Sequence, residues 1–137
     1  LEAGHIATMN EAFDKYLGRN APAYVERYKL LPEDAVALIR RAGGVPVLAH
    51  PREVQHYVAP LVKAGLMGLE VYYAMYDDEL RAKHSQLAKQ YGLIATGGSD
   101  FHGLNKMGHM GGLGQVFVPP EVVEQLREKA REIRKNS

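Results

Sequence analysis

The sequence predicts an α/β fold with parallel strands, and three observations carry that prediction. Short apolar runs without polar alternation, as expected of strands buried on both faces, recur at residues 45–49, 68–73 and 93–96. Segments with helical spacing of apolar residues separate them. Glycines close those helices at Gly43-Gly44, Gly65 and Gly92, so the connections are short. Helix–strand alternation of this kind gives parallel neighbours joined by crossovers. No run reads as a first strand, which points to part of a barrel rather than a whole one.

Each element has a local reason. Residues 9–17 read as a helix, with Asn10 placed to cap it and Ala12, Phe13, Tyr16 and Leu17 at helical spacings. Gly18-Arg19-Asn20-Ala21-Pro22 breaks it, and residues 23–31 form an aromatic-rich connector. Pro32, tolerated in a first turn, starts the next helix with Glu33 and Asp34 at the positive end of its dipole. Val36, Leu38 and Ile39 supply its apolar face, and Arg40 and Arg41 suit its carboxyl end. Residues 45–49 then read as a strand, 54–64 as a helix and 68–73 as the next strand. Residues 77–91 are helical, with Leu80, His84, Leu87, Ala88 and Tyr91 on one stripe, and 93–96 form the third strand. Gln115-Val116-Phe117-Val118 is expected as a fourth short strand, and Pro119-Pro120 opens a last helix running to about Arg134.

Composition narrows the function classes. A hydrophobic fraction of 46% and a charged fraction of 24% are ordinary for a globular domain. A formal net charge of +1 gives no reason to expect nucleic acid or membrane as the main partner. No apolar stretch approaches the ~18–20 residues that cross a bilayer. Leu1-Glu2-Ala3-Gly4 does not open like a signal peptide. With no cysteine, disulfides and thiolate metal sites are excluded. These features fit a cytoplasmic protein, and any metal must be held by His, Asp or Glu. That donor set suits Mn, Fe or Zn, with Mg as a further option.

The chemistry concentrates at two strand ends. Thr96-Gly97-Gly98-Ser99-Asp100-Phe101-His102-Gly103 puts a carboxylate and an imidazole two positions apart after an apolar run. In extended backbone such a pair points to one side. Upstream, Val45-Pro46-Val47-Leu48-Ala49 ends in His50-Pro51, and the proline biases His50 towards extended geometry. Ligands collect at the carboxyl ends of parallel strands, so His50, Asp100 and His102 form a candidate metal set. The blander readings stay open: His50 packed at a strand end, Asp100 capping a turn, His102 solvated. The glycines around Asp100 would let backbone approach a ligand closely. Glu70, a charge within an apolar strand, either supports a ligand histidine or pairs with Arg81 or Lys83. Gly97-Gly98-Ser99 lacks the Lys-Ser/Thr of a P-loop. Arg19 and Arg52 stand near breaks and are candidate phosphate contacts. His5, His56, His84 and His109 read as structural or solvated, and the loop 103–114 as a gate over the site.

Taken with their neighbours, these motifs resemble the PHP (polymerase and histidinol phosphatase) family. The resemblance lies in Ala42-Gly43-Gly44-Val45-Pro46-Val47-Leu48-Ala49-His50-Pro51, in Gly65-Leu66-Met67-Gly68-Leu69-Glu70-Val71-Tyr72, and in residues 91–103. It is closest to the stand-alone metal-dependent phosphoesterases of that family, and the opening stretch resembles the end of their helical insertion. It implies part of a distorted (β/α)7 barrel, with residues 1–31 as the end of the insertion and connector and 32–137 as the carboxyl-terminal portion of the barrel. It also implies divalent metals held by His50, Asp100 and His102. Asp100 and His102 would serve catalysis, and Arg19 and Arg52 would contact phosphate. The amino-terminal ligand motif of the family has no counterpart here, and the chain opens with Leu1 in helical sequence. A carboxyl-terminal half of a hydrolase is therefore expected, one that dimerises or recruits a missing half. The expected substrate is a phosphorylated small molecule, nucleotide or short oligonucleotide, hydrolysed by metal-activated water. Two other classes stay open: a non-catalytic PHP-like interaction module, and a proofreading-type domain associated with nucleic acid.

Overall fold

The computed structural model describes residues 2–26, 28–52, 54–103 and 112–135. The chain forms two compact units, Leu1–Leu30 and Leu31–Ser137. In the first, helix α1 (Met9–Ala12) runs directly into a π-helical turn, Phe13–Leu17. Its cap is Thr8, two residues earlier than the expected Asn10: the Thr8 hydroxyl accepts from the Glu11 N–H at 3.1 Å. The Glu11 carboxylate in turn accepts from the Ala7 N–H and from Lys15, each at 2.6 Å. This is close to a capping box, and the Lys15 hydrogen bond is the main reason the Glu11 carboxyl is held below its usual range.

The second unit carries three parallel strands in the order β1 (Val47–Leu48), β2 (Gly68–Tyr73), β3 (Ile94–Gly98). Helices α2 (Pro32–Arg41), α3 (Val58–Ala64), α4 (Asp78–Tyr91) and α5 (Glu121–Lys135) alternate with them or follow. The α4 boundaries follow from local chemistry. The Asp77 carboxylate caps it by accepting from the Leu80 N–H at 2.8 Å, and Gly92 ends it in the left-handed region at φ +63°. Gly65 ends α3 in the same way at φ +106°.

Leu69 and Val71, alternate residues of β2, are wholly buried, and Val58, Leu61, Val36 and Ala88 from the helices are buried with them. This one-sided core anchors β2 and aims the carboxyl ends of the strands at the site. Three expectations need correction. The strand expected at 45–49 is only Val47–Leu48, because Pro46 has no N–H for a ladder and the chain turns sharply at His50. The first turn of the expected helix at 54–64 is a 3₁₀ turn, Gln55–Tyr57. Gln115-Val116-Phe117-Val118 is no strand. Gly112 and Gln115 close a turn there instead, with Gln115 N–H donating to Gly112 O at 3.2 Å and Gly112 N–H to Gln115 Oε1 at 2.8 Å.

Candidate metal centre

Strands β1 and β3 flank β2, and all three deliver polar side chains at their carboxyl ends. Two of those side chains sit on strained backbone. His50 has φ +49° and Asp100 φ +55°, so neither is extended. Left-handed geometry costs a non-glycine residue roughly 1–2 kcal/mol, and the surroundings must hold it. At His50 the holding contact is the Glu70 carboxylate, whose Oε2 accepts the His50 N–H at 2.8 Å. A carboxylate on another strand thus overrides the local bias of the residue before proline.

Asp100 and His102 are brought together, but through left-handed backbone at Asp100 and not by strand alternation. The His102 Nδ1 lies 2.6 Å from the Asp100 carbonyl oxygen and 3.6 Å from Asp100 Oδ1. The carbonyl engages Nδ1–H, which leaves His102 Nε2 free as a donor atom. Across the site, His50 Nε2 is 3.9 Å from Asp100 Oδ2, and His50 Nδ1 is 3.6 Å from Glu70 Oε2. Glu70 therefore serves His50, while Arg81 pairs with Asp78 at 3.1 Å. Half the surface of His50 and nearly half of His102 is open to solvent, whereas Glu70 is 13% exposed.

The donors fit a divalent ion in kind. Two ligands each about 2.1 Å from one ion lie roughly 3–4 Å apart, and the His50 Nε2–Asp100 Oδ2 separation falls there; the 3.6 Å approach of His102 to Asp100 is made by Nδ1, the nitrogen turned to the carbonyl. Imidazole and carboxylate suit Mn, Fe and Zn. A histidine with one nitrogen on a carbonyl or beside a carboxylate has the arrangement that orients metal ligands. Among the described residues, however, no three His, Asp or Glu side chains converge on one point as a ready-made cage.

Tyr73, the last residue of β2, was not singled out from the sequence, although its place at the carboxyl end of a strand is the signal that could have found it. Its hydroxyl donates to Asp100 Oδ2 at 3.3 Å. Burial first, then the Asp100 charge, push its phenol above the usual tyrosine range, so it keeps its proton. Behind it, Tyr76 is pushed up to about 12, again mainly by burial and then by Glu70. His84, on the apolar stripe of α4, is wholly buried, and burial lowers its pKa. His5 and His56 are exposed. Arg52 lines a recess of about 400 Å³ with Gln55, Asp77, Glu79, Leu80 and Lys83, whose lining does not include His50, Asp100 or His102. Arg19 belongs to the first unit. His109 and most of the expected gating loop lie outside the described residues.

A parallel α/β unit with imidazole and carboxylate side chains at its strand ends carries donors of the kind that bind divalent metals. No family model matches the sequence, but individual relatives do. A 3′,5′-nucleoside bisphosphate phosphatase of Chromobacterium violaceum is 32% identical over 130 residues, 87% of this chain and 46% of that protein. A 5′-3′ exoribonuclease of Salmonella typhimurium is 34% identical over 109 residues, 74% of this chain and 37% of that one. Among solved structures, a Bifidobacterium adolescentis protein assigned as a metal-dependent phosphoesterase superposes with TM-score 0.70 at 27% identity, covering 93% of this chain and 46% of that one. Over most of its own length the chain is similar to PHP-type phosphoesterases. It spans less than half the length of these relatives. Among the described residues no helix is long and apolar enough to cross a membrane.

Proposed function

We propose that this chain contributes part of a metal-dependent phosphoesterase site that hydrolyses phosphoesters of nucleotides or short oligonucleotides. The observation that carries the reading is the pairing of His50 and Asp100. Two residues on strained backbone, at the ends of strands β1 and β3, face each other at 3.9 Å. Backbone strain retained at a strand end is a mark of a functional site. The sheet order supports a barrel wall, because consecutive parallel strands lie side by side without the reversal of a doubly wound sheet. The division at Leu30 supports residues 1–31 as an insertion and connector apart from the barrel portion, 32–137.

In this reading His50 Nε2, an Asp100 carboxylate oxygen and His102 Nε2 would hold the metal. When bound, a divalent ion supplies activation of water and neutralises charge on the phosphoryl oxygens. The chain's own residues prepare the site. Glu70 fixes the His50 backbone and lies beside its Nδ1, the Asp100 carbonyl fixes the His102 tautomer, and Asp100 presents one oxygen to each imidazole. Within the second unit, Arg52 is the proposed phosphate contact. The three ligands do not form a closed cage, so the complete centre needs further donors, from a second copy or from the remainder of a longer enzyme. The names of the relatives support nucleotide phosphoesters as the substrate class.

The test is elemental analysis of the purified chain, followed by Mn²⁺ and Zn²⁺ titration monitored by thermal melting. Hydrolysis of a nucleoside 3′,5′-bisphosphate and of a short 5′-phosphorylated RNA would be assayed alongside. Metal binding lost in His50→Ala and Asp100→Ala is the expected result. A wild-type chain that binds neither ion at millimolar concentration would overturn the reading and favour a non-catalytic interaction module.

A further inference from the structure

Tyr73 touches both residues on strained backbone at once. Its ring meets the His50 imidazole edge-on, with centroids 4.9 Å apart and planes at 83°, inside the roughly 4.5–7 Å range of favourable ring pairs. Its hydroxyl reaches Asp100 Oδ2, the oxygen that faces His50 Nε2. We propose that Tyr73 is a positioning residue, which sets the separation of His50 and Asp100 and the rotation of the Asp100 carboxylate. The inference rests on the reading of those two side chains as metal ligands.

The rotation is the point of the hydroxyl. A carboxylate turns freely about its last bond unless one oxygen is held. With Oδ2 engaged by Tyr73, Asp100 offers Oδ2 to the His50 side of the site and Oδ1 to the His102 side, at 3.9 and 3.6 Å. A ring serving packing alone would have no use for an oxygen here.

Tyr73 is in turn held from behind. Its ring meets Tyr76 at 5.0 Å and 73°, and Tyr76 meets His84 at 4.8 Å and 64°. His84 Nε2 lies 3.1 Å from Gln55 Nε2. Gln55 opens the 3₁₀ turn that follows His50-Pro51, so the ladder of rings closes back on the loop that carries His50. The three outer rungs are side chains of β2, of the turn after it and of α4, tied to the same core that anchors the sheet. A residue with two side-chain torsions, wedged between such neighbours, holds its partners with little entropy left to lose.

The experiment compares the 137-residue chain with Tyr73→Phe and Tyr73→Leu. In metal-free protein, NMR follows the ring protons of His50, shifted by the Tyr73 ring, and the carboxylate carbon of Asp100. Calorimetry then measures Zn²⁺ affinity. Tyr73→Phe should keep the His50 ring shift and the melting temperature, move the Asp100 carbon and weaken Zn²⁺ binding about tenfold. Tyr73→Leu should also lose the His50 shift and weaken binding about a hundredfold. An unmoved Asp100 carbon in Tyr73→Phe would overturn the proposal, as would unchanged Zn²⁺ affinity there. Should the wild type bind no Zn²⁺, the phosphoesterase reading fails, and the two metal-free signals still decide the role of Tyr73. If Tyr73→Leu does not fold, Tyr73→Phe alone decides.

Discussion

Replacing Gly97 by alanine tests how β3 is seated, and Gly98 beside it is the control. A Cβ at Gly97 would run into the carbonyl oxygen of Tyr72, and into Tyr72 Cβ and carbonyl carbon behind it. At Gly98 it would meet nothing within 4 Å, and neither glycine has positive φ. The crowding arises where the ladder slips: Glu70 pairs with Thr96 but Tyr72 with Gly97, so β2 has an extra residue. Overpacking a filled site costs about 1–3 kcal/mol. Two of the three obstructing atoms are backbone and cannot swing aside, so the upper end, about 3 kcal/mol, is expected for Gly97→Ala. At roughly 4 °C per kcal/mol for a chain of this size, that is a fall in Tm of about 12 °C. Gly98→Ala should stay within about 0.5 kcal/mol of wild type. Urea unfolding of both variants measures the difference as a shift in midpoint at unchanged slope. Because β3 leads directly into Asp100, Gly97→Ala should also weaken metal binding. Equal stability of the two variants would refute the bulge as the reason for this glycine.

Two further predictions follow from burial. His84 is wholly buried, with its Nδ1 unpartnered among the described residues and its pKa lowered, chiefly by burial and secondarily by Lys83. The unfolded chain then binds the proton first, so stability is full above the ordinary histidine value of about 6.5 and falls as the pH drops below it, by at most about 1.4 kcal/mol per pH unit. The pH dependence of the urea midpoint between pH 7 and 5, compared with His84→Gln, checks this: the variant should show a flatter curve, and identical curves would refute it. Leu69 is also wholly buried, at the centre of the core cluster. Leu69→Ala should cost about 2–5 kcal/mol by thermal or urea unfolding, and a loss under 1 kcal/mol would mean the core collapses around the gap.

What was legible in the sequence was what local chemistry decides. Strand Gly68–Tyr73 and helix Asp78–Tyr91 lie where the apolar run, the Asp77 cap and Gly92 put them, because each signal acts within a few residues of its effect. Gln115-Val116-Phe117-Val118 shows the limit of that reasoning. Its β-branched and aromatic residues favour a strand, but a strand also needs a neighbour to pair with, and here the turn between Gly112 and Gln115 takes the backbone bonds instead. From the sequence Gly97 is room for a ligand, whereas in the fold it is room for Tyr72 on the neighbouring strand.

The candidate site was legible in its residue types and not in its geometry, and the reason is the same at each position. His50 before proline and Asp100 before His102 were both expected to be extended, and both are left-handed. At His50 the deciding contact is a hydrogen bond to Glu70, twenty residues away along the chain. Tyr73 likewise meets His50 from one direction and Asp100 from the other, with nothing in the local sequence to announce either contact. A residue such as His50, whose backbone departs from its local preference, must be held by contacts distant in sequence. Such a residue is thus the one whose geometry the sequence hides, and the one where the fold has fixed a side chain more tightly than stability alone requires. At this site Glu70 and Tyr73 supply that hold, so their removal should disturb the metal site more than the fold.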